Sequence, residues 1–128
     1  MTKTHDLLIG KEWRKSAHTI PVVNPFTQEA FAEVCLAGGQ EIEQAIDLAE
    51  KAFQTTRTQP AYLRSRICTN IAHALRERSE EFAQTISLES GKPLIYAQAE
   101  VARSSSTFEI AAQEALRLDG KLLTLDIT

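Results

Sequence analysis

Residues 87–101 read SLESGKPLIYAQAEV, and the Gly91–Lys92 step is where backbone and charge could meet a phosphate. A Walker-type phosphate loop has the form G-x-x-x-x-G-K-[ST], because paired glycines let backbone N–H groups converge and the Ser/Thr hydroxyl meets magnesium. Here Ile86 stands where the first glycine belongs and Pro93 where the hydroxyl belongs, and the proline also removes a donor. The same residues meet a different requirement in full. A glycine just past a helix adopts the left-handed conformation, a lysine sits near the negative end of the helix dipole, and a proline opens the next helix. The expectation is a helix stop, not a phosphate cradle.

The thiols are the other residues whose type suggests chemistry. Cys35 and Cys68 form no C-x-x-C pair and have no paired histidines nearby, so they indicate neither a disulfide framework nor a zinc site. A reactive cysteine needs an electropositive neighbour that favours the thiolate. Cys35 instead lies on the alternating stretch AEVC, and Cys68 lies in an amphipathic helical run with His73 five residues on, expected at a surface or edge. Both thiols are expected to be buried or idle.

These residues need elements to hold them, and a chain of 128 residues is about one domain. Charged residues make up 24% and hydrophobic ones 43%, the profile of a soluble globular protein, and a net charge of −3 offers no basic field for nucleic acid. The apolar runs are too short to span a bilayer, and MTKTHDLLIGKEW lacks the apolar stretch and cleavage site of a signal peptide. A cytoplasmic location with no membrane partner is expected.

Within residues 1–36, DLLI runs through Gly10–Lys11 into EWR, and TIPVV runs through NPFTQ into EAFAEVCL, which predicts two β-hairpins. In the second pair the alternation of Phe31, Glu33 and Cys35 with Ala32, Val34 and Leu36 predicts a half-buried antiparallel strand. From Gln40 the period changes to about 3.6, with Ile42, Ala45, Ile46, Ala49 and Phe53 on one helical face. Pro60 opens a second helix with a stripe of Leu63, Ile67, Ile71, Ala74 and Leu75, which ends near Arg78. Ser79 reads as the N-cap of a third, short helix that buries Phe82, Ala83 and Ile86 and stops at Gly91. From Pro93 a long helix places Leu94, Ala97, Val101, Phe108, Ala112 and Ala115 along one side and reaches Gly120, about 40 Å at 1.5 Å per residue. KLLTLDIT, 121–128, alternates like a strand. Trp13 and Phe108 could line a cleft, but large rings on amphipathic elements more often pack in a core.

Taken in order, LLIGKEW, TIPVVNPFTQEAFAEV, EIEQAIDLAEKAF, RSRI with IAHALRER, LESGKP, and FEIAAQEALRLDGKLLTLD resemble the N-terminal segment of the aldehyde dehydrogenase superfamily. The resemblance covers almost the whole chain. It implies a mainly α-helical piece with N-terminal β-hairpins, belonging to the α/β, Rossmann-like fold of that family. On it, residues 1–128 are the N-terminal segment of a cofactor-binding domain, with a β-hairpin region over 1–36, a helical region over 40–119, and a strand over 121–128 leading to an oligomerisation segment.

The family oxidises aldehydes with NAD or NADP through a cysteine thioester. Its nucleophile, general base, oxyanion donor and dinucleotide glycines lie beyond the part resembled here. The resemblance therefore implies no catalytic and no cofactor-binding residue in this chain, and no turnover or bound cofactor for the chain alone. It also implies a monovalent cation held by the backbone of Val23 and the carboxylate of Glu89. Glu stands where some relatives have Asp, and a hard cation needs more oxygens than these two. The partners implied are the remainder of such a subunit or further copies of the chain, as a homo-oligomer. The competing expectation is a non-catalytic module that pairs with an intact subunit. The 121–128 stretch argues against it, since a self-contained module should not end in a strand with an open edge.

Overall fold

The structure is a computed structural model and describes residues 3–118 and residue 120. Five strands come first: β1 (Lys3–His5), β2 (Leu7–Ile9), β3 (Glu12–Arg14), β4 (Thr19–Val23) and β5 (Ala30–Cys35). Four helices follow: α1 (Gly39–Thr56), α2 (Ala61–Glu77), α3 (Ser79–Ser90) and α4 (Leu94–Glu114). The expected strand over 121–128 lies outside the described residues. No helix among the described residues is long and apolar enough to cross a membrane.

Both predicted hairpins form. β2 and β3 pair antiparallel with Leu8 opposite Trp13, across a turn in which Gly10 takes φ 65°. β4 and β5 pair antiparallel, with a bulge between Val22 and Val23. Asn24 shapes their turn: its Oδ1 accepts the Phe26 N–H at 2.9 Å and the Thr27 N–H at 3.3 Å, while its carbonyl accepts the Gln28 N–H at 2.8 Å. β1 was not expected. It lies parallel to β5 and gives a sheet of order β1-β5-β4. Its residues Lys3, Thr4 and His5 are exposed, so no buried face wrote an alternation into them.

The half-buried alternation expected on β5 is interrupted. Ala32 and Cys35 are both buried although they point to opposite faces, and Leu36 is exposed. The link after β3 covers Cys35: the Ser16 N–H donates to its Sγ at 3.4 Å.

The helices form near the predicted bounds, with three differences. Ser79 is the first residue of α3, not its cap, and no side-chain hydrogen bond caps that helix. Arg78 instead links α2 to α3 with φ −107° and ψ 22°, and its guanidinium binds the Glu81 carboxylate at 2.8 and 2.6 Å. α4 stops at Glu114, giving 21 residues and about 32 Å, because the Leu116 and Arg117 N–H groups turn to carbonyls three residues back. On α2 the buried residue is Ala72, while Ile67 and Ile71 of the predicted stripe are exposed.

The core sits where α4 packs against α2 and α3, and small residues make it. Ala72, Ala83 and Ala97 are completely buried, with Val101 and Ala112 beside them on α4. Such side chains let helix axes approach closely. Phe82 and Ile86 cover the edge, as expected for α3. Ser105, also buried, donates its hydroxyl to the Ala72 carbonyl at 3.1 Å and so pins α4 to α2.

α1 stands apart from this core. None of its residues is buried, and Ile42, Ile46 and Phe53 are each at least half exposed. It rests on the hairpin, where the Arg14 Nη1 donates to the Gln44 Oε1 at 2.6 Å.

Candidate functional site

The α3–α4 junction answers the question its sequence raises. Gly91 takes φ 69° and ψ 10°, and its N–H returns to the Ser87 carbonyl at 3.0 Å, a left-handed helix stop. The Lys92 N–H goes to the Ser90 Oγ at 3.3 Å, and the Lys92 carbonyl accepts the Ser87 hydroxyl at 2.7 Å. Every local donor is therefore turned inward, and none converges on an external anion. The Lys92 ammonium reaches forward to the Glu100 carboxylate on α4 at 2.6 Å.

That hydrogen bond, followed by the Lys92 charge and, more weakly, Arg103, holds the Glu100 carboxyl below its ordinary range. A depressed carboxyl favours the folded state above its unfolded pKa and loses that contribution as pH falls through the folded value. In an NMR titration, Glu100 is expected to titrate below an ordinary glutamate, and Lys92→Ala is expected to move its midpoint upward. A midpoint unchanged by Lys92→Ala would exclude the pair as the cause.

The structure brings the β4–β5 turn onto this junction. A Cβ added at Gly91 would lie 2.9 Å from the Pro25 Cγ, so the proline ring rests on the glycine. Val23 ends β4 two residues before Pro25, and Glu89 lies in the last turn of α3 two residues before Gly91. The two residues singled out for a cation thus flank one contact, with the Glu89 side chain exposed. Among the described residues no three His, Cys, Asp or Glu side chains cluster to hold a metal. No local pattern marks the Pro25–Gly91 approach in the sequence.

The thiols are not assembled into a site. Cys35 is buried under the Ser16 amide, and Cys68 is half-buried on α2. His73 is exposed on the same helix, as expected. Phe108 is half-buried on α4, whereas Trp13, 67% exposed on the outside of the β2–β3 hairpin, does not pack in a core. A groove between α2, α3 and α4 is lined by Leu75, Arg76, Ser79, Gln98 and Ser105. Arg76 there is paired with Glu109. A further glycine step, Gly38–Gly39 at the start of α1, faces Glu41, whose carboxylate accepts the Gly38 N–H at 3.0 Å and would repel a phosphate.

Residues 13–127 match the model of the aldehyde dehydrogenase family. The 3-sulfolactaldehyde dehydrogenase of Priestia megaterium is 32% identical over 119 residues, which cover 93% of this chain and 24% of that protein. Aldehyde dehydrogenase 21 of Physcomitrella patens, solved with the reaction product succinate, superposes with a TM-score of 0.95 at 32% identity, over 100% of this chain and 27% of that one. Betaine aldehyde dehydrogenase of Staphylococcus aureus, solved with NAD+, superposes with a TM-score of 0.87 at 28% identity, over 93% of this chain and 25% of that one. The chain therefore spans about a quarter of the length of the relatives it matches.

Proposed function

This chain belongs to the aldehyde dehydrogenase family, as an N-terminal segment of its fold, and on that premise we propose that it is the scaffold on which an NAD(P)-dependent, aldehyde-oxidising subunit builds its site. In that chemistry a cysteine thiolate adds to the aldehyde carbonyl, hydride leaves to the nicotinamide, and water hydrolyses the resulting thioester to the acid. We assign none of these steps to the present residues.

The observation that carries the reading is the division of the chain into a small packed core of α2, α3 and α4 and an α1 whose apolar stripe is uncovered. The Gly91, Lys92 and Gly38 N–H groups are each engaged within the chain, which speaks against a dinucleotide cradle at these residues, and no step is derived through one. NAD or NADP would be bound by residues outside this chain. On the same reading the stripe is covered by the remainder of such a subunit or by further copies in a homo-oligomer, located in the cytoplasm.

The test follows reduced-cofactor absorbance over a panel of short aldehydes with NAD and with NADP. The chain alone is expected to give no turnover. In a subunit that carries this segment, Cys35→Ala and Cys68→Ala are expected to leave turnover intact, because one thiol is packed under a backbone amide and the other has no assembled partner. Turnover by the chain alone that either substitution abolishes would overturn the scaffold reading.

We also propose that in such a subunit the Val23 carbonyl and the Glu89 carboxylate supply two oxygens to a monovalent cation completed by other ligands. Glu89→Gln is then expected to abolish any extra thermal stability that sodium or potassium chloride confers over choline chloride. Equal salt responses of parent and variant would remove Glu89 from the ligand set.

A further inference from the structure

We draw no further inference here: the strongest candidate, the apolar groove between β2 and α1 lined by Leu8, Ile42, Ala45 and Ile46, is an unpartnered face, and nothing in the structure shows what covers it.

Discussion

Gly91→Ala is expected to be among the most damaging single-methyl additions in this chain. Two costs combine. The left-handed backbone at φ 69° penalises any Cβ by roughly 1 kcal/mol. The new methyl would also stand 2.9 Å from the Pro25 Cγ. Pro25 cannot yield as the tip of a flexible side chain would, since its ring is part of the backbone and the turn around it is held by the Asn24 hydrogen bonds. Overpacking of this kind costs about 1–3 kcal/mol.

The sum, on the order of 2–4 kcal/mol, corresponds to roughly 10 °C or more in Tm for a domain near this size. Denaturation of the parent, Gly91→Ala, Pro25→Ala and the double variant separates the two costs. Pro25→Ala should recover the contact portion and leave the backbone portion, so the pair should be non-additive. Lys92→Ala should cost far less, because its ammonium serves a single, half-buried ion pair still open to solvent. A larger loss from Lys92→Ala than from Gly91→Ala would revive a binding role for the Gly–Lys step.

The second large effect is on association. Ile42, Ile46 and Phe53 on α1, Leu8 and Trp13 on the hairpin, and Ile95 and Tyr96 on α4 are all exposed. Large contiguous apolar surface seeks a partner, and if the remainder of a subunit is what covers it, the chain alone meets only copies of itself. Light scattering across a dilution series is therefore expected to show a mass above the monomer that falls on dilution. Ile42→Ser with Ile46→Ser is expected to shift the series toward monomer while leaving the α2–α4 core untouched. A compact monomer at high concentration with a sharp cooperative melt would show that the chain closes its own core, and would favour the independent module.

Much of this architecture is written locally. The 3.6-residue spacing of Ile42, Ala45, Ile46 and Ala49 marks α1 whether or not the stripe is covered, because amphipathicity lies in the spacing itself. Gly10–Lys11 and Asn24–Pro25 mark their hairpins through turn chemistry. Gly91 marks its helix stop because few other residues take φ 69° without strain.

What was not legible depends on contacts between distant residues. β1 is a strand because β5 offers it an edge, not because Lys3, Thr4 and His5 alternate. Ser79 had the right chemistry for a cap, yet Arg78 carries the chain from one helix into the next. The size of Trp13 argues for a core position, but the hairpin leaves it exposed. The cation pair of Val23 and Glu89 comes from family likeness, and the approach of Pro25 to Gly91, two residues from each of them, could be seen only once the turn was folded onto the junction.

An interior of alanines constrains how this chain can vary over generations. At Ala72, Ala83 and Ala97, each with no accessible surface, nearly every available substitution adds atoms to a place that has no room for them. Glycine is the replacement that removes atoms, and in a helix interior it costs about 1 kcal/mol in backbone freedom. A core of leucines can drift by trading volume between neighbours, one shrinking as another grows. Here the three alanines cannot shrink for one another, so any compensation has to come from the larger side chains at the edge, Val101, Phe82 and Ile86. Variation is pushed outward, to the faces of α2 and α4 that look away from the contact.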